Sequence, residues 1–268
     1  MRAKYLVTLL AIAIAAVALY VGVKPGVKEF KEVDELGERH EVIVAGPYVV
    51  IKHGPGAHQR DFDEAVKYIE ARRASWERWK KLLDKYGDET YKAYAVPCRI
   101  YTFEEFSTLA KSLGLTDKIV EVVTYVYYKN GTYESLGHGV RPEGYSFDAW
   151  LESMKETAFI STGRHVLFLE WQRNGTGTPP PFNVTEAAEL GRSVAEVYVG
   201  AFVVEAPLKE LYVLSKRPEI LMVDTPLDLI WKYREEGKIV VVKRVTFGDR
   251  YLIEKKNLCQ SRDRSKGK

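Results

Sequence analysis

The sequence has few of the side chains that heat damages most readily. Its 268 residues include three methionines, three glutamines, four asparagines and two cysteines. Depletion of these residue types is typical of proteins from thermophiles. The sequence therefore indicates a hyperthermophilic source.

The two cysteines stand in unlike surroundings. Cys98 lies within an apolar, strand-like run, whereas Cys259 lies in a basic tail. A disulfide between them is permitted outside the cytoplasm. Their long separation and different contexts favour instead a buried, unpaired Cys98 and a free Cys259.

Motifs for nucleotide binding and for serine hydrolysis are missing. The sequence contains no G-x-G-x-x-G, no G-x-x-x-x-G-K-[ST] and no G-x-S-x-G. The net charge of +3 arises from 40 basic and 37 acidic residues, with much of the excess at the two ends. A nearly neutral body makes nucleic acid an unfavourable partner.

The longest uncharged run, residues 5–23, predicts one membrane-spanning helix. It is nineteen residues long, and a helix needs roughly 20 apolar residues to cross a bilayer. Arg2 and Lys4 precede the run and favour a cytoplasmic N-terminus, residues 1–4, with the rest of the chain outside. A cleaved signal peptide has a similar layout, but the A-x-A-like alanines lie inside the apolar run, which favours retention as an anchor.

Three of the four asparagines stand in N-x-S/T sequons, the acceptor sites of N-glycosylation. The sequons begin at Asn130, Asn174 and Asn183. Ser and Thr together make up roughly a tenth of average sequences, so chance predicts well under one sequon among four asparagines. The excess indicates exposure to a glycosylation system outside the cytoplasm and an archaeal source. The alternative is that Asn-Gly and nearby Thr simply mark turns.

The fold class predicted for the chain after the anchor is α/β (α+β). We expect a connector at 24–39, an exported domain at 40–254 with an internal boundary at the proline-rich segment 174–183, and a flexible basic tail at 255–268. Strand-like runs alternate with amphipathic helices, and Ser146 is placed to cap a helix that ends near Phe159. The run HVLFLEW, from His165, reads as the next strand.

Two segments of the domain resemble each other. Residues 103–111 (FEEFSTLAK) align with residues 208–216 (LKELYVLSK), and an apolar strand precedes and follows each. Two strand-helix-strand units side by side predict a ferredoxin-like α/β sandwich. Amphipathic helices also look alike for packing reasons alone, which leaves true duplication open.

The most site-like cluster for a metal lies on a glycine-rich loop. His53 and His58 are followed by Asp61 and Asp63, and this set offers three ligands to zinc or copper. The spacing differs from that of the H-E-x-x-H helix, and Asp61 is also placed to cap the following helix. A surface turn is the alternative interpretation, and no cofactor is predicted.

A second glycine-rich loop, residues 137–150, is a candidate for recognition. It combines histidine, arginine, glutamate, tyrosine and tryptophan within one connection: His138, Arg141, Glu143, Tyr145 and Trp150. Loops of this composition often carry recognition residues. A capped turn with core aromatics explains the same pattern.

The sequence thus predicts a membrane-anchored, extracytoplasmic binding or structural module of the cell envelope, without catalysis. Its expected partners are the membrane, through residues 5–23, and another envelope protein or a polysaccharide. An exported metal-assisted hydrolase using His53, His58 and Asp61 or Asp63 is the first alternative. A pilin-like filament subunit is the second, because Arg2-Ala3 precedes an apolar helix that would pack in a filament core.

Overall fold

A computed structural model describes residues 26–37, 39–52, 62–175 and 181–243. The fold is mixed α/β, as predicted, with two sheets and helices. In chain order the elements are β1 (Val27–Val33), β2 (Arg39–Ala45), β3 (Tyr48–Lys52), α1 (Phe62–Trp79), a 3-10 turn (Lys80–Leu82), α2 (Leu83–Tyr86), β4 (Thr90–Pro97), α3 (Phe103–Ser112), β5 (Ile119–Tyr128), β6 (Tyr133–Val140), α4 (Phe147–Asn174), α5 (Val184–Val194), β7 (Ala195–Pro207), α6 (Leu208–Ser215), β8 (Ile220–Asp224), α7 (Leu227–Glu235) and β9 (Ile239–Lys243).

The chain forms two compact units. Unit 1 comprises residues 1–58 and 225–247, and unit 2 comprises residues 59–224 and 248–268. The internal boundary at 174–183 stays a prediction; the described residues on both sides of that segment belong to unit 2. α4 and α5 flank the segment and pack closely on each other.

Unit 1 is built on a four-stranded sheet in the order β1-β2-β3-β9. β1, β2 and β3 are antiparallel, and β9 joins β3 in parallel. Gly46 and Pro47 form the turn between β2 and β3. α7 lies against one face of the sheet, where Tyr233 and Lys232 both bond to Glu32.

β1 lies within the segment that the sequence predicts as a connector, residues 24–39. It is an edge strand with most side chains exposed, and four of its seven residues are charged. An edge strand of this kind carries no hydrophobic period, so sequence patterns miss it.

Unit 2 is built on a five-stranded antiparallel sheet in the order β6-β5-β7-β4-β8. α3 connects β4 to β5, and α6 connects β7 to β8. α3 begins with a capping box, in which the Thr102 hydroxyl accepts from the Glu105 amide and the Glu105 carboxylate accepts from the Thr102 amide. This cap fixes the start of the helix that the sequence predicts.

Phenylalanine and tryptophan rings fill the space between this sheet and its helices. Phe202 of β7 packs against Phe106 of α3 with ring centroids 5.3 Å apart, and Phe147 of α4 contacts Phe106 at 6.3 Å. At the edge of the sheet that β8 forms, Nε1 of Trp76 in α1 donates to the carbonyl oxygen of Val223, at 2.7 Å. α1 therefore covers part of the free edge of β8.

The helix that Ser146 caps is much longer than predicted. The cap is present, since Ser146 Oγ accepts from the Ala149 amide, but α4 continues to Asn174 instead of ending near Phe159. The strand predicted at His165 is therefore wrong, because HVLFLEW is the second half of α4. Its apolar side chains are mostly Leu, Phe and Trp, and a short apolar run of this kind fits a helix as well as a strand.

Among the described residues, no helix is long and apolar enough to cross a membrane. The predicted span, residues 5–23, lies outside them, as does the basic tail at 255–268.

Candidate functional site

The predicted metal ligands His53, His58 and Asp61 lie outside the described residues, and only the backbone of Asp63 is described, at the start of α1. Within the described ranges, no group of three or more His, Cys, Asp or Glu side chains is placed to hold a metal ion. The metal site therefore stays a prediction.

The predicted recognition loop is held in place by Arg141. Its guanidinium donates from Nε and Nη2 to the carbonyl oxygen of Tyr145, at 3.0 and 2.8 Å, and from Nη1 to that of Thr116, at 2.6 Å. Trp150 is buried in the first turns of α4, whereas Glu143 and Tyr145 are exposed. The loop thus presents two of the five predicted residues to solvent and uses two others for structure. The side chain of His138, in β6, is not described.

Both described sequons lie at the surface. Asn130 is exposed in the β5–β6 turn, where its Oδ1 accepts from the Thr132 amide and from the Thr132 hydroxyl. Asn183 is exposed at the start of α5, where its Oδ1 accepts from the amides of Thr185 and Glu186. In both cases the bonded atom is Oδ1, which leaves Nδ2, the atom to which a glycan is attached, without a bond to any described residue. The side chain of Asn174, the third sequon, is not described.

Sequence patterns did not identify a tyrosine cluster on the unit 2 sheet, formed by Tyr127, Tyr133 and Tyr198. Tyr127 stacks on Tyr133 with centroids 5.6 Å apart and meets the edge of Tyr198 at 5.5 Å. The three rings are half-exposed and come from three neighbouring strands. Val122 pairs with Phe202, so both side chains face the helices. Tyr127 is five residues from Val122 in the same strand and therefore lies on the opposite face of the sheet.

The neighbours of this cluster are polar and aromatic. The Tyr198 hydroxyl donates to the Glu196 carboxylate, and this bond together with burial raises the pKa of Tyr198 to about 12. Below the cluster, the ring of Tyr125 lies so close over Gly200 that a Cβ there would be 2.3 Å from it. The Tyr125 hydroxyl is buried and has no hydrogen-bond partner within the described part of the chain. Rings with adjacent hydroxyl and carboxylate groups suit stacking and hydrogen bonding to a sugar.

A buried charged cluster in unit 2 also lies beyond what sequence patterns indicate. Arg72 of α1 and Asp224 at the end of β8 are fully buried, with Arg72 Nε 2.7 Å from Asp224 Oδ1. The Tyr68 hydroxyl lies 3.0 Å from both carboxylate oxygens of Asp224. Because none of these groups is exposed to solvent, the cluster is better suited to holding α1 against β8 than to reacting with a substrate.

Unit 1 contains a second buried pair, between β1 and β2. His40 Nε2 lies 3.0 Å from Asp34 Oδ2, and both side chains are fully buried. The other carboxylate oxygen of Asp34 accepts from the Leu36 amide at 2.8 Å, which shapes the turn. The pair therefore belongs to the framework of the sheet.

Cys98 takes part in a disulfide. The prediction of an unpaired, buried thiol was wrong: Cys98 follows β4 at a bend and is half-exposed, so its sulfur is accessible for pairing. Its sulfur lies 3.0 Å from the carbonyl oxygen of Pro218, a contact and not a hydrogen bond because a disulfide sulfur has no proton to donate. Cys259, the one other cysteine of the sequence, lies outside the described residues.

Comparisons with protein-family models, with curated proteins and with solved structures found no match for this chain.

Proposed function

We propose that the chain is a membrane-anchored, extracytoplasmic binding or structural module of the cell envelope of a thermophilic archaeon, and that it acts without catalysis. Residues 5–23 form the anchor, and the domain that follows lies outside the cytoplasm. The observation that carries this proposal is the surface position of Asn130 and Asn183, each with Nδ2 unbonded by the described residues. A glycan can be attached at either position without disturbing the fold.

Two further features support the proposal. A disulfide at Cys98 agrees with an oxidising compartment, although intracellular proteins of hyperthermophiles carry disulfides as well, so the sequons remain the stronger support. Ion pairs link successive helices across unit 2, from Asp148 to Lys111, from Lys155 to Glu104 and from Arg192 to Glu156. Linked surface pairs of this kind agree with a thermophilic source.

Glycopeptide mass spectrometry on the protein from its native membranes tests the location. We expect a glycan on Asn130 or Asn183. Thr132→Ala and Thr185→Ala each remove one sequon while retaining the asparagine, and each is expected to abolish the glycan at its own site alone. Recovery of the protein from the cytosol with unmodified asparagines would contradict the proposal.

The tyrosine cluster is the proposed binding surface, and an envelope polysaccharide is its proposed ligand. Tyrosine rings supply stacking area, and the Tyr198–Glu196 pair supplies polar groups beside it. In a pull-down with polysaccharide prepared from the host envelope, Tyr198→Ala is expected to lose most of the bound protein. Tyr212→Ala, at a half-exposed tyrosine of α6 outside both the cluster and the predicted recognition loop, is the matched control and is expected to bind normally. Equal binding by the two variants would exclude the cluster.

The proposed architecture of unit 2 is a ferredoxin-like core. The strand order β8-β4-β7-β5 supports this architecture. α3 connects β4 to β5 and α6 connects β7 to β8, and each helix joins two strands that run in the same direction with one strand between them. β6 is an additional strand at one edge. The aligned residues of the two helices are buried in matching positions: Phe103 with Leu208, Phe106 with Leu211, and Leu109 with Leu214. Nuclear Overhauser contacts between Tyr94 and Val203 and between Ala95 and Val223 would test this strand order.

A further inference from the structure

The unit 1 sheet has one face that no described helix of that unit covers, and we call it the open face. In each strand it consists of alternate residues, which the pairing register aligns in rows across the sheet. At one end, the rows contain mostly apolar side chains: Val27, Ala45, Tyr48 and Ile239, then Glu29, Ile43, Val50 and Val241. The next row contains Lys31, Glu41 and Lys52.

The opposite face is the core side of this sheet. Val42, Val49 and Ile51 are fully buried there, and α7 bonds to Glu32 on the same face. On the open face, Ile239 is 50% exposed and Val241 is 41% exposed, both in the edge strand β9, whereas Ile43 in the middle of the sheet is buried. On the opposite face, Phe30 in the edge strand β1 is 41% exposed as well. Apolar side chains with this exposure, placed side by side, mark a surface that contacts something apolar.

The apolar end of the open face is also the end nearest the predicted anchor. Three residues separate Val23, the last residue of the predicted span, from Val27, the first residue of β1. Four Cα steps reach at most about 14 Å even when fully extended. The headgroup layer is about 5–8 Å deep on each side of the hydrocarbon core. With the anchor in place, β1 therefore begins within the headgroup layer or just beyond it.

The lysines of the open face lie farther along the sheet from the anchor than the apolar rows do. The apolar rows come first, and Lys31 and Lys52 come in the row beyond them, so that both lysines meet the layer of lipid phosphates when this face lies against the membrane. Glu41 in that row is paired with Lys52, at 2.5 Å. A hydrogen bond between Glu29 and Glu41 raises the pKa of Glu29 and lowers the pKa of Glu41.

We propose that the open face docks on the phospholipid surface of the membrane that holds the anchor, with Tyr48, Ile239 and Val241 in the interface and the lysines against the phosphates. This inference rests on the proposed anchor and adds to it a fixed orientation of unit 1. Docking of the sheet restricts the orientation of unit 1 relative to the membrane, so that unit 1 does not rotate freely about residues 24–26.

Tryptophan quenching in nanodiscs tests the docking. The full-length chain is inserted into nanodiscs of phosphatidylcholine and phosphatidylglycerol, with or without bromine on the acyl chains near the headgroups. Tyr48→Trp places a probe on the open face, and Phe30→Trp places a matched probe on the opposite face of the same sheet. Fluorescence is compared with that of the wild type in each lipid.

We expect brominated lipid to quench the tryptophan introduced at position 48 and to leave the one at position 30 unaffected. Adding Val241→Glu to Tyr48→Trp should abolish that quenching while circular dichroism stays unchanged, because Val241 is exposed. Insertion of the chain without selective quenching at position 48 would overturn the docking but leave the anchor intact. A chain that alkaline carbonate extracts from membranes would overturn both proposals.

Discussion

Arg72 Nε lies 2.7 Å from Asp224 Oδ1, and neither side chain is exposed to solvent. The pair joins α1 to the last residue of β8, at the point where the chain passes from unit 2 to unit 1. Asp224→Asn should destabilise unit 2 by about 3–5 kcal/mol, because the substitution leaves an uncompensated buried guanidinium. Denaturant unfolding followed by tryptophan fluorescence measures this, since Trp76 bonds to the neighbouring residue, Val223.

The exposed pair Lys92–Glu205, with its atoms 3.6 Å apart, supplies the control. Glu205→Gln should cost less than about 1 kcal/mol, because exposed ion pairs contribute little. Replacing both buried charges, as in Arg72→Met with Asp224→Leu, should recover part of the stability that Asp224→Asn loses. A loss for Asp224→Asn no larger than that for Glu205→Gln would show that the buried pair does not fasten α1.

The close packing of α4 on α5 depends on Gly163. A Cβ at this position would lie 1.8 Å from the carbonyl oxygen of Ala187. Alanine is normally favoured over glycine within a helix by about 1 kcal/mol. We expect the opposite sign here, a destabilisation of about 1–3 kcal/mol, because the two helices must move apart.

Thermal unfolding of Gly163→Ala measures the effect. Ser161→Ala, two residues earlier on the exposed side of the same helix, should change stability by less than about 0.5 kcal/mol. If Gly163→Ala were as stable as the wild type, α4 and α5 could not lie as close together as described.

How much of this fold the sequence predicts depends on the range of the interactions. The helix at residues 103–111 is predicted from its local amphipathic pattern, and it is found as α3. The buried bond between Tyr68 and Asp224 joins residues 156 positions apart, and no local pattern reveals such a contact. The sequons could be identified from the sequence, whereas the tyrosine cluster depends on strand order and so required the structure.

Tyr198 provides a test at alkaline pH. Its bond to Glu196 and its burial raise its pKa to about 12, from about 10 in an unfolded chain. The stabilisation from this group is fully present below pH 10. As the pH rises from about 10 to about 12, it is progressively lost, because the unfolded chain releases its proton first.

Spectrophotometric titration of phenolate measures the pKa, and Tyr198→Phe identifies the component that belongs to this residue. Glu196→Gln should lower the pKa of Tyr198 towards 10, because the carboxylate that holds its proton is gone. An unchanged titration curve in Glu196→Gln would mean that the bond to Glu196 does not form in solution.

The central claim is that residues 5–23 hold the chain in a membrane with the following domain outside the cytoplasm. Protease treatment of intact host cells, followed by detection of a C-terminal epitope tag, tests it most directly, with a cytosolic protein as the marker of cell integrity. We predict that the protease removes the tag from intact cells while the cytosolic marker survives. A tag that becomes accessible only after the cells are lysed would contradict the claim.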